Sequence, residues 1–170
     1  MKLINLIEAK QVGILYHYTS VSSFFKILDE NVLKISRILK GNKKLSAVSF
    51  TRDKNFHSLD RGIGGEDIRF VVDGNKLSNN YKIEPFFDAN FPNYRSTAWD
   101  ESEEIVLTKS GIKNFISYVI RIDIDKDSFF EIYWHYYPYI YDKIDIKDSD
   151  LNEKLLKYMR NKIKKEIKLM

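Results

Sequence analysis

The sequence contains no cysteine. Disulfides and thiolate metal sites are therefore excluded, and the composition fits a reducing cytosol. Proline and glycine are scarce, three and seven in 170 residues, and no linker or low-complexity stretch divides the chain. Residues 1–170 are expected to form a single domain with a real hydrophobic core. No run approaches the roughly 20 apolar residues that a membrane span needs. The opening MKLINLIEAK lacks the apolar core and small-residue end of a secretory signal. The GIGG at Gly62–Gly65 neither follows a strand directly nor opens a helix, which removes a Rossmann or P-loop reading. There is no internal repeat. What these absences leave is a soluble globular protein, expected in the cytoplasm, with 44% hydrophobic and 31% charged residues.

Charge is placed unevenly. Ser149–Met170 holds seven basic and three acidic residues, and the remainder balances at 21 of each sign. The net charge of +4 thus belongs to the tail. Leu151, Leu155, Met159, Ile163 and Ile167 recur there at helical spacing, which predicts a C-terminal amphipathic basic helix over 149–170 whose first role is packing.

The rest of the chain reads as short strands with few helices. A helix is expected over Met1–Gln11. Leu15–Ser20, LYHYTS, reads as a strand with Leu15, His17 and Thr19 on one face and Tyr16 and Tyr18 on the other. Thr19 and Ser20 are good helix N-caps, and Val21, Phe24, Phe25 and Leu28 follow at helical spacing, with Asn31 suited to the helix end. Val32–Ser36 reads as a strand, Leu39–Lys44 as a turn, and Ala47–Arg52, AVSFTR, as a strand with Val48 and Phe50 facing the core and Ser49 and Thr51 facing away. Asp53–Asp67 reads as a loop. Further strands are expected at Ile68–Asp73, at Lys82–Phe87 (on an edge, because of Pro85), at Glu104–Thr108, at Phe115–Asp125 and within Tyr133–Ile146. Strands arrive without regular alternation with helices, so the fold class is α+β on a split or mixed sheet.

The polar residues admit several chemistries. A lone histidine in a strand, a Ser-x-Thr pair and the acidic run at Asp100–Glu104 each also occur as ordinary packing or solvated surface. Asp100, Glu101, Glu103, Glu104, Asp123 and Asp125 supply carboxylates enough for magnesium. Their spacing matches no metal motif, however, and His17, His57 and His135 are never four apart, so no metal is expected. Taken together, LYHYTS with its following helix FFKILDENVLKIS, then AVSFTR, then EEIVL, resemble in order the ADP-ribosyltransferase family, over Ile14 to Ile124. The resemblance to its small bacterial and phage-type members implies a split β-sheet with flanking helices that grips NAD in a cleft. It implies transfer of ADP-ribose to a macromolecular acceptor, protein or nucleic acid, with release of nicotinamide.

Under that resemblance Glu104, directly before Ile105, is the catalytic carboxylate, with Glu103 the alternative because Glu101-Ser102-Glu103 also spells the family's Glu-x-Glu. A carboxylate there would stabilise the oxocarbenium-like sugar, as in glycoside hydrolysis. His17 would bind a ribose hydroxyl and the backbone of Tyr18 the nicotinamide amide, with Thr19 beside them among the cofactor-binding residues. Ser49 and Thr51 would brace the cleft, Arg52 would reach the pyrophosphate, and Phe56 would stack on a ring. Tyr94, Arg95 and Trp99 fall where the family places its target-recognition loop. AVSFTR lacks the Tyr or full Ser-Thr-Ser frequent in the second motif, a departure that bears on the subgroup. Outside enzymatic transfer stand two alternatives: a relative that only hydrolyses NAD or processes RNA phosphate, and a non-catalytic binding or inhibitor module.

Overall fold

The computed structural model describes residues 12–40, 43–52, 54, 68–85, 103–140 and 151–169. Strand β1, Ile14–Thr19, lies at the middle of one large sheet. It hands the chain to helix α1, Val21–Glu30, as the hydroxyls predict: the Ser20 side chain caps the helix by accepting from the Ser23 N–H. Asn31 ends the helix in the left-handed conformation at φ 51°. Phe24 and Ile27 are buried, and Val21, Phe25 and Leu28 pack against the same core.

The next strands are β2, Val32–Leu33, then β3, Ser36–Lys40, and β4, Lys43–Thr51. The turn expected over Leu39–Lys44 is therefore much tighter, because β3 and β4 form a hairpin paired as far as Lys40–Lys43. Strand β5, Ile68–Asp73, leads into a short helix α2, Gly74–Ser78, that the sequence reading omits. Then come β6, Ile83–Pro85, β7, Glu103–Leu107, and β8, Ile112–Lys113. A 3-10 turn at Phe115–Tyr118 precedes β9, Val119–Ile124. The chain closes with α3, Lys126–Ile140, α4, Leu151–Ile163, and β10, Glu166–Leu169.

The architecture is α+β with a mostly antiparallel sheet. Its strands run in the order β10-β9-β5-β1-β4-β7-β6, with β3 paired to β4 off that path, and β2 with β8 forms a separate small ribbon. Among the described strands only β10 and β9 run parallel. Pro85 lies opposite Glu104 in β6, the last strand of that order among the described residues, as expected for a proline at a sheet edge.

Three expectations are corrected. Tyr133–Ile146 is not a strand at its start, since α3 runs through Ile140. Asp125 begins that helix, its Oδ1 accepting from the Ser128 N–H at 3.1 Å, and Phe129 and Ile132, three apart, are buried. Phe115–Asp125 is not one strand: β9 starts at Val119, and Val71 pairs with Arg121 while Val72 pairs with Val119. Ile120 is thus the extra residue of a bulge, which leaves it 44% exposed and turns Val119 inward instead. The basic C-terminal helix stops at Ile163, with Lys164 at φ 55°, and Ile167 lies in β10 opposite Ile122. The segments Met1–Gln11 and Asp53–Asp67, apart from Lys54, lie outside the described residues.

Alternation puts Leu15, His17, Val48, Phe50, Phe70, Val72, Val106, Ile122 and Ile124 on one face. All but His17 belong to the main core. Phe70 centres it, 5.3 Å from the Phe115 ring and 5.7 Å from that of Phe24. The opposite face carries a small cluster of its own, Ala47 on β4 with Ile105 on β7.

The start of β1 is held by α2. Asn75 Oδ1 accepts from the Val12 and Gly13 N–H groups, and the Gly74 N–H donates to the Gly13 carbonyl at 2.8 Å. A Cβ on Gly74 would lie 2.5 Å from that carbonyl oxygen and 2.8 Å from Val12 Cγ1. Gly74→Ala is therefore expected to destabilise the fold by about 1–3 kcal/mol through overpacking, read as a shifted urea midpoint. An unchanged midpoint would show that this contact yields freely.

Candidate functional site: the opening between β1 and β4

The sheet is unevenly zipped. β1 pairs with β5 along its whole length, from Ile14–Asp73 to Thr19–Ile68, and β4 pairs with β7 from Ala47–Leu107 to Thr51–Glu103. Between β1 and β4 the only register pair among the described residues is Tyr16–Thr51. Because Ala47 pairs with both Ser36 and Leu107, and Thr51 with both Tyr16 and Glu103, β3 and β1 share one edge of β4. In the gap between them the sheet opens.

His17 spans that gap. Its Nδ1 lies 3.0 Å from the Ser49 carbonyl oxygen, which can only accept, so Nδ1 carries the hydrogen. The ring sits edge-on to Phe50 and Phe115, at 5.8 and 6.4 Å. Burial pushes the His17 pKa below its ordinary 6.5, against the Ser49 hydrogen bond, which raises it. The ring is therefore neutral near pH 7, with Nε2 as an acceptor.

A pKa lowered by folding makes stability full above pH 6.5, lost as the pH falls from there, and level again beneath the folded value. Denaturant titrations between pH 7.5 and 5 should show wild type losing up to about 1.4 kcal/mol per pH unit more than His17→Gln. Equal slopes would exclude His17 as the source.

One strand further, Glu104 faces Phe50 across the β4–β7 ladder, on the core face with His17. Only β4 separates their strands, which places the two backbones roughly 10 Å apart. Glu104 is 4% exposed. Arg52 holds it: Nε and Nη2 both donate to Oε1, at 2.8 and 2.7 Å, and Nη1 donates to the Val12 carbonyl at 2.9 Å. Arg52 thereby ties the end of β4 to β7 and to the residues before β1. Val106 joins the main core with Glu104 on its face, whereas Ile105, buried against Ala47, and Leu107, 40% exposed, lie on the other face. A buried carboxylate on a core face is stable there because a guanidinium accompanies it.

The remaining predicted residues separate by face. Thr19, buried, shares the side of His17. Ser49 and Thr51, with Thr51 buried, lie on the other side, as does Tyr18, whose hydroxyl donates to the Lys54 carbonyl at 2.6 Å. Ser49 enters the His17 arrangement through its carbonyl, not its hydroxyl. Glu103 pairs with Thr51 in the ladder, and its side chain lies outside the described residues, as do Phe56, Tyr94, Arg95 and Trp99.

A second polar centre, in which the sequence reading offers Asp123 as a candidate magnesium ligand and not as an ion-pair partner, lies on the face of Tyr18. Arg69 Nη2 and Nε donate to Asp123 Oδ2 at 2.6 and 3.0 Å, Arg121 Nε donates to Oδ1 at 2.6 Å, and Arg69 also donates to the Lys54 carbonyl. Its guanidinium lies over the Tyr16 ring, 5.3 Å from the centroid. Burial by itself would raise the Asp123 pKa, but the hydrogen bonds and charges of Arg121 and Arg69 outweigh it and hold the carboxyl below its usual range. The signal available in sequence was the register-compatible alternation of Arg121 and Asp123 with Ile122 and Ile124.

Among the described residues no group of three His, Cys, Asp or Glu side chains is placed to hold a metal ion, and no helix is long and apolar enough to cross a membrane. No family model, curated protein or solved structure matches the chain.

Proposed function

We propose that this chain is an NAD-consuming enzyme of the ADP-ribosyltransferase type, with its site in the opening between β1 and β4 and Glu104 as its catalytic carboxylate. The observation that carries the reading is the single-pair contact between β1 and β4, with His17 on one side and Arg52 and Glu104 on the other. The split sheet of that family is the finer fold we assign to this mostly antiparallel sheet.

In the proposed reaction the ribose C1′–nitrogen bond of NAD breaks and its electron pair leaves with neutral nicotinamide. The sugar becomes oxocarbenium-like, and an acceptor nucleophile then bonds to C1′ and gives up its proton to water. Glu104 accepts a hydrogen bond from a ribose hydroxyl and offsets the developing positive charge. His17, neutral with Nε2 as acceptor, suits a second ribose hydroxyl. The acceptor is a macromolecule, protein or nucleic acid. The test is nicotinamide release from NAD by the purified protein, with and without bacterial lysate. Release that rises with lysate supports transfer, and release indifferent to lysate supports an NAD hydrolase. No release, with no heat of NAD binding in calorimetry, would leave a non-catalytic binding module as the better description.

A further inference from the structure

Arg52 is placed to do two jobs that exclude each other. It is the one cation within ion-pair distance of Glu104 among the described residues, and its side chain is 36% exposed where that of Glu104 is 6%. The guanidinium therefore covers the carboxylate from the solvent side, and a sugar hydroxyl approaching Glu104 from solvent meets Arg52 first. The grip is also incomplete. Nε and Nη2 converge on the single oxygen Oε1, not on two oxygens in parallel, and Nη1 is spent on the neutral Val12 carbonyl. A pyrophosphate offers more negative charge and oxygens at the spacing of the guanidinium fork.

We infer that Arg52 changes partners: it holds Glu104 while the site is empty, and moves to the pyrophosphate of an entering dinucleotide, which frees the carboxylate for the ribose. This rests on the NAD reading above. The exchange keeps the charge balanced at each stage, because Glu104 loses its cation only when the ligand's phosphates have taken it. It makes Glu104 a competitor of the ligand for one guanidinium, and that has an unusual consequence. Weakening the carboxylate should tighten phosphate binding.

Calorimetry with inorganic pyrophosphate and with ADP-ribose tests it, on wild type, Glu104→Gln, Arg52→Gln and Arg52→Lys. Replacing a charge-assisted bond by a neutral one about halves its strength, so Glu104→Gln is expected to bind pyrophosphate roughly three- to tenfold more tightly, with a smaller gain for ADP-ribose, whose ribose loses the carboxylate. Arg52→Gln is expected to lose at least about tenfold on both. Arg52→Lys keeps a cation beside Glu104 and loses the fork. It also gives up the Val12 bond, so its melting temperature should fall modestly while the fold stays cooperative, and it should bind the probes more weakly at temperatures well below that melting point, which guards against a variant that merely unfolds. Nicotinamide riboside, which has no phosphate, should show no gain in Glu104→Gln. Unchanged or weaker pyrophosphate binding in Glu104→Gln, or wild-type affinity in Arg52→Gln, overturns the exchange. The two readings separate cleanly: nicotinamide release without the Glu104→Gln gain rejects the exchange alone, whereas the gain without nicotinamide release upholds the exchange on a phosphate ligand and rejects the NAD chemistry.

Discussion

Glu104→Gln should lower nicotinamide release from NAD by on the order of 100- to 1,000-fold, the usual cost of removing one preorganised electrostatic contact to a transition state. The same substitution should leave the fold in place. Gln has the shape of Glu, its amide oxygen can accept the two Arg52 donors that now meet Oε1, and the third Arg52 bond, to the Val12 carbonyl, is untouched. Glu103→Gln is the internal comparison. Its register partner is Thr51, whereas that of Glu104 is Phe50, whose ring meets His17, so the two glutamates occupy alternate positions of one strand. Glu103→Gln is expected to stay within a few-fold of wild type. Rates from chromatographic assay of nicotinamide, beside matched melting curves, decide the matter. A collapse in Glu103→Gln with a near-normal Glu104→Gln would move the catalytic role to Glu103. Normal rates in both would remove the carboxylate mechanism.

The local signals in the chain were sound wherever one element is governed by its own residues. Ser20 and Asn31 bound α1 as their side chains and backbone preferences require, and the period-two faces of β1 and β4 are those expected, with Phe50 in the core and Ser49 opposed to it. What failed depended on partners distant in sequence. Nothing in Ile116–Ile124 announces the bulge at Ile120, because a bulge exists only relative to the neighbouring strand β5. Ile167 fits a helical stripe by spacing, yet Ile122 recruits it into a parallel pair after Lys164 breaks the helix. Aromatic side chains weighed toward β structure in Tyr133–Ile140, and the burial of Phe129 and Ile132 on one helical face won instead.

Around the opening between β1 and β4 the strands were legible in the sequence and the side-chain pairings were not. Arg52 was expected at a phosphate and is found on Glu104, 52 positions away, and the His17 partner is a backbone carbonyl 32 positions away.

Asp123→Ala should be the most damaging single change to stability, at about 3–5 kcal/mol, because it strands cations that the carboxylate now pairs. The Asp123 side chain is 2% exposed and that of Arg69 13%, so neither group can recover by hydration without moving. Arg121, 28% exposed, can turn outward and lose less. The damage should travel to the opening between β1 and β4, since Arg69 also donates to the Lys54 carbonyl that takes the Tyr18 hydroxyl bond, just beyond Arg52. Urea denaturation gives the loss. Asp123→Asn, which keeps an acceptor, should cost less than Asp123→Ala. The double variant Asp123→Leu, Arg69→Met should recover much of the loss, because replacing both members of a buried ion pair by apolar groups of similar volume is often neutral. A loss under about 1 kcal/mol for Asp123→Ala would place the cluster with ordinary surface pairs. A double variant no more stable than Asp123→Ala would mean that Arg69 contributes through Lys54 and Tyr16 as much as through the carboxylate.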